Sequence, residues 1–183
     1  MGKERFEIID ACRGVSIMLM VVYHFFYDLV AFCSFPAYVL YNPFVNSLEV
    51  FFASLFIIMS GASTQFTRSN KKRAVKTLLA AAAVTLVTWI FDNSAFVLFG
   101  ILHFLGFAAL IYGFFGRQID RIVEKVNPAI FIALFFVFRQ ILNRPYNIRG
   151  LWALGIYTRS FMSTDYFPML PWIFIYFFGI WFG

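Results

Sequence analysis

Val15-Ser-Ile-Met-Leu-Met-Val-Val-Tyr-His24-Phe-Phe-Tyr-Asp28-Leu-Val-Ala-Phe-Cys33-Ser-Phe35 is an apolar run broken only by His24 and Asp28. Coiled as a helix, such a run is about 32 Å long, which matches a hydrocarbon core of about 30 Å. It reads as a membrane-spanning helix. Its length and the poor cleavage site around residues 33–37 argue against a removable signal peptide, and a second apolar run follows at once.

Outward from this run the pattern repeats. Residues 50–66 carry no charge. Residues 77–91 give a helix of about 22 Å, short for a span, but Lys76 can snorkel to the interface. Residues 95–116, 129–142 (with Arg139) and 167–183 complete the set. The expectation is an all-α protein: a polytopic membrane helical bundle of about six transmembrane helices, one domain over residues 1–183. Residues 143–165, the longest connection, hold four aromatics and an apolar stretch at 151–157, which predicts a short interfacial or re-entrant segment.

The composition agrees. Of 183 residues, 62% are hydrophobic and 13% charged, and 27 are Phe. A soluble domain of this size keeps too much surface to bury that much apolar side chain. Cys12 and Cys33 would stand about 32 Å apart on one helix, too far for a disulfide, and neither has metal-binding spacing. The net charge of +6 comes from short basic clusters at span ends, not from a nucleic-acid-binding face. Eleven Lys and Arg residues (3, 5, 13, 68, 71, 72, 73, 76, 117, 121 and 125) fall on one side. Four (139, 144, 149 and 159) fall on the other, which predicts a cytosolic N-terminus.

Ionisable groups inside spans are costly and so mark candidate sites. His24 and Asp28 lie four apart on one helix face, where a carboxylate can support an imidazole in proton transfer. His103, eight residues past Ala95, is expected about 12 Å into the fourth helix, at a depth similar to His24. The three could line one polar site or form a structural hydrogen-bond cluster. Arg5, Asp10 and Arg13 gather at the expected cytosolic mouth of the first helix. Asp10 suits a helix start, and the two arginines suit an anionic ligand or simple positive-inside anchoring.

Arg13-x10-His24, within Arg5-x4-Asp10-x2-Arg13-Gly14, resembles the signature of transmembrane acyltransferases. Four further pieces, in order along the chain, resemble bacterial proteins of the heparan-α-glucosaminide N-acetyltransferase catalytic-domain family. They are Val21-Val-Tyr-His24-Phe-Phe-Tyr-Asp28-Leu, Leu55-Phe-Ile-Ile-Met-Ser60-Gly61-Ala-Ser63, Gly100-Ile-Leu-His103-Phe-Leu-Gly106 and Asp165-Tyr-Phe-Pro168-Met-Leu-Pro171-Trp172.

The resemblance implies acyl transfer from cytosolic acetyl-CoA or another acyl-CoA to an extracytoplasmic acceptor, a sugar or glycan. His24 would be the catalytic base or transient acyl carrier, and Asp28 would orient it. Arg13, Arg5, Asp10, Arg68 and Arg73 would hold the coenzyme. His103, Tyr27 and Asp165 would serve the acceptor. The implied partners are the lipid bilayer, acyl-CoA, the acceptor and a second copy of the chain, with no metal, in a bacterial cytoplasmic membrane. Family members continue with at least one further hydrophobic segment, so the chain reads as truncated at Gly183. The eukaryotic enzyme that names the family has its active histidine after the first helix, so the heparan substrate does not carry over to His24. Two other classes fit the residues alone: a small-solute or proton-coupled transporter, and a non-catalytic membrane subunit.

Overall fold

The structure is a computed structural model. It describes residues 2–33, 36, 38, 42–92 and 96–183, with side chains except those of residues 2–9, 31 and 32. The Arg5 side chain, the expected first-span end at Phe35, Tyr41, and the expected fourth-span start at Ala95 lie outside the described residues.

Among the described residues six α-helices run in order: α1 (Gly2–Phe32), α2 (Pro43–Ala62), α3 (Asn70–Phe91), α4 (Ile101–Lys125), α5 (Pro128–Leu142) and α6 (Met169–Phe182). Among the described residues there is no strand. Three segments among the described residues are long and apolar enough to cross a membrane: Asp10–Val30, Pro43–Ala62 and Asn70–Phe91. α5 and α6 are apolar but shorter, at 15 and 14 residues.

Local chemistry sets the helix starts. Asn42 Oδ1 accepts from Phe44 N at 2.9 Å, just before Pro43 opens α2. Ser69 caps α3, its Oγ accepting from Lys72 N. Asn127 caps α5, with Pro128 in the first turn. α1 begins well before the apolar run, so Asp10 lies two turns inside the helix rather than at its start.

The chain divides into two compact units, Met1–Ser60 and Gly61–Gly183. In the first, Tyr23 of α1 donates to Glu49 Oε2 of α2 at 3.1 Å. Ser16, fully buried, returns its hydroxyl to Cys12 O at 2.7 Å.

In the second unit α3 packs along α4, α5 along α6, and α4 joins the pairs through α6. Gly106 lets α4 approach α3 closely: a Cβ there would stand 2.6 Å from the Leu78 side chain. Aromatic rings share the core with aliphatic side chains such as Ile119, Val123 and Ile175. Phe104 meets Tyr176 edge-on, and Phe135 and Trp172 lie 5.0 Å apart. Outward-facing Leu79, Trp89, Ile90, Ile122 and Val137 are all exposed, an apolar surface that lipid covers in a membrane protein.

One expectation is corrected here. The expected fourth span includes residues 96–100, but these are not helical. They form an irregular segment with a bend at residues 98–99, held to residues 163–167 by hydrogen bonds from Thr164 N to Phe96 O (3.2 Å) and from Phe167 N to Phe99 O (2.9 Å). Helix α4 starts only after Gly100. The connection at 143–165, expected to hold a short interfacial or re-entrant segment, is mostly irregular. Its one regular piece is a 3-10 turn at Trp152–Leu154.

Candidate functional site

The first unit carries His24, Tyr27 and Asp28 on two successive turns of α1, all exposed on that unit. The i, i+4 spacing puts His24 and Asp28 on one face, as the sequence predicts. They are not hydrogen-bonded to each other. The His24 ring meets Tyr23 edge-on, with centroids 5.9 Å apart. Tyr23 in turn is tied to Glu49, so the turn bearing His24 is anchored to α2 through its neighbour. Toward the start of α1, Arg13 and Asp10 form an ion pair at 2.6 Å. Asp10 thereby acts on Arg13, one turn away, and not as a cap.

The second unit brings His103 and Asp165 together at the head of α4. Gly100 is the N-cap, and His103 is the third helical residue, in the first turn. The His103 Nδ1 accepts from Gly100 N at 3.3 Å. That fixes the tautomer: Nδ1 is bare, so Nε2 carries the proton and points it at Thr85 Oγ1, 3.3 Å away. Thr85 passes its own hydroxyl proton to Val97 O at 2.6 Å. Phe99 stacks on the imidazole with centroids 5.6 Å apart. Both ring nitrogens are therefore engaged by the protein, and His103 is held in one orientation.

Asp165 adopts φ of 54°, a left-handed conformation that Asp tolerates better than most residues. This turns its carboxylate toward α4, where Oδ2 lies 3.4 Å from Ile101 N. A negative group at a helix N-terminus is electrostatically favourable. Gly100 leaves room for this approach, since a Cβ there would stand 2.7 Å from Asp165 Oδ2 and from Val97 Cγ1 and would push those side chains aside. Ser163 adds a clamp, its Oγ accepting from Leu98 N at 3.0 Å.

Beside this corner the 143–165 connection forms an aromatic cluster. Trp152 and Phe161 stack at 6.2 Å, and Tyr166 donates to Trp152 O. Burial, then the neighbouring Tyr157, pushes the Tyr166 phenol above its usual range, so it remains a donor. A shallow cup of about 70 Å³ opens here between Arg149, Trp152, Tyr157 and Thr158.

Arg73 and Arg68 differ. Arg73 is half-buried and directs its guanidinium to Ser63 Oγ (2.7 Å), Thr67 Oγ1 (3.4 Å) and Tyr176 OH (3.4 Å). It ties the start of α3 to the end of α2 and to α6. Arg68 is exposed and available to a ligand.

Residues the sequence reading missed are Glu49, Tyr23, Thr85 and Ser163. Glu49 borders an apolar run, which is a readable signal. The partners of the other three lie far along the chain.

The sequence matches the model of the family described as heparan-alpha-glucosaminide N-acetyltransferase, catalytic, over residues 5–183. The chain belongs to this family. It is therefore a membrane protein of an acetyltransferase family in which acetyl-CoA is generally the donor. No curated protein and no solved structure matches the chain. His24, Asp28, His103 and Asp165 all fall within the matched residues.

Proposed function

We propose that the chain moves an acetyl or other acyl group from cytosolic acyl-CoA to the hydroxyl or amine of an extracytoplasmic acceptor, a sugar or glycan. The observation that carries this reading is the family match over residues 5–183, with His24 and Asp28 on one face of a candidate span, Asp10–Val30.

His24 takes the acceptor's proton as its oxygen or nitrogen attacks the thioester carbonyl carbon. A C–O or C–N bond forms, the C–S bond breaks, and the proton passes from the imidazolium to the departing coenzyme A sulfur. Asp28 stabilises the imidazolium between those steps. Arg13 and Arg68 bind the coenzyme phosphates, for which guanidinium forks are suited. Arg5 and Asp10 assist at the same end of α1. Arg73 shapes the loop before α3 through its hydroxyl contacts. Tyr27 and Asp165 serve the acceptor, and His103, with its Nε2 proton committed to Thr85, holds the Asp165 corner in shape.

In this reading the chain spans a bacterial cytoplasmic membrane about six times as one transmembrane domain, with its N-terminus in the cytosol. The support is the asymmetry of eleven basic residues against four. The test is calorimetric titration of acetyl-CoA into the purified protein in detergent, wild type beside Arg13→Ala. Saturable binding that weakens about tenfold in the variant supports the reading. An unchanged dissociation constant moves the coenzyme away from Arg13, and no binding by folded wild type contradicts the reading.

A further inference from the structure

Helix α4 changes character at Phe115, whose φ of −116° and ψ of 17° interrupt the helical path. Residues 101–114 carry no Asp, Glu, Lys or Arg. Residues 116–125 carry Arg117, Asp120, Arg121, Glu124 and Lys125. A spanning helix would not hold five charges in one such stretch.

At about 100° per residue these ten residues sort into four sectors. Ile119 and Val123 are buried and face the unit's core. Arg117, Arg121 and Lys125 follow at i, i+4 and i+8 along the outward face, all exposed. On one flank lies Ile122, 59% exposed, with Phe115 at the same bearing just before the turn, 54% exposed. On the other flank are Asp120, half-buried and accepting from the Tyr112 hydroxyl at 2.9 Å, and Glu124, which is exposed. Lys71 of α3 adds a cation nearby, its Nζ 4.1 Å over the Phe114 ring.

An apolar flank, then a cationic ridge, then an acidic flank is the cross-section of a helix lying in the headgroup zone. The apolar flank sinks toward the acyl chains, the cations sit level with phosphates, and Glu124 turns to water while Asp120 is held by Tyr112. A helix surrounded by water would gain nothing from exposing Ile122 and Phe115.

We propose that residues 116–125 form an interfacial helix and that Arg117, Arg121 and Lys125, with Lys71, bind the phosphate headgroups of anionic phospholipids. The proposal is independent of acyl transfer and of which face of the membrane the ridge meets.

The test uses the full chain in neutral detergent micelles doped with phosphatidylglycerol or phosphatidylcholine, with retained lipid read by native mass spectrometry. Each cation near an anionic surface strengthens binding about fivefold. Phosphatidylglycerol is expected to be retained in preference. The R117Q/R121Q/K125Q variant should weaken that retention at least about tenfold, and Arg121→Gln alone should weaken it several-fold, which keeps the test decisive if the triple variant fails to fold. Glu124→Gln, on the opposite flank, should leave retention equal or higher. Equal retention of the two lipids, wild-type retention by Arg121→Gln and the triple variant, or full displacement of phosphatidylglycerol by millimolar inorganic phosphate would each overturn the proposal. The last outcome would make the ridge a site for soluble anions.

Discussion

The Nδ1 of His103 accepts the backbone N–H of Gly100 at 3.3 Å, closing the first turn of α4 with a side chain in the role that Glu or Gln plays in a capping box. The histidine that the family resemblance gives to the acceptor also caps a helix. His103→Ala should lower stability by about 1–2 kcal/mol, the usual effect of losing a cap and its hydrogen bond. Thermal unfolding in detergent checks this. An unchanged midpoint would mean that the cap carries no stability.

Gly61 packs where a Cβ would stand 3.2 Å from Gly179 Cα and closer still to the Tyr176 carbonyl. Both obstacles are backbone, so neither can swing aside. Gly61→Ala should destabilise the second unit by about 1–3 kcal/mol through overpacking. Gly116→Ala is the control, since its Cβ would meet nothing nearer than the Tyr112 ring at 3.5 Å. Equal melting midpoints for the two variants would contradict the close approach.

The Tyr23–Glu49 hydrogen bond joins α1 to α2 within the first unit. Tyr23→Phe removes the donor and leaves the carboxylate without it, which should cost about 1–2 kcal/mol. Glu49→Gln keeps an acceptor and should cost less. Denaturation of the two variants side by side checks the order, and a larger loss in Glu49→Gln would contradict it.

Arg73 and Arg68 should separate stability from coenzyme binding. Arg73→Ala removes three hydroxyl contacts and should lower the unfolding midpoint. Arg68→Ala should leave the midpoint alone and weaken acetyl-CoA binding several-fold. Melting curves and titrations on both variants check this, and a reversed pattern would exchange their roles.

These contrasts show what the sequence could reveal. α5 was legible to within a residue, because Asn127-Pro128 is a local start signal directly ahead of the apolar run. The start of α4 was not. Residues 96–99 are as apolar as a helix interior, but their backbone is taken up by residues 163–167, a pairing that no local pattern announces. α1 also outruns its apolar stretch, since helix propensity does not stop where hydrophobicity does. At the site, the shared face of His24 and Asp28 follows from spacing alone. The meeting of His103 with Asp165 depends on a turn with positive φ some 60 residues away.

The central claim is that His24 serves acyl transfer. The most direct measurement is transfer of radiolabelled acetyl from acetyl-CoA to a panel of amino sugars and neutral sugars by the purified chain in proteoliposomes, wild type beside His24→Ala. Labelled product is expected with wild type, and a rate lower by about 10²–10⁴-fold in the variant, the usual contribution of a general base, with an unchanged unfolding midpoint. Wild-type turnover by folded His24→Ala would contradict it.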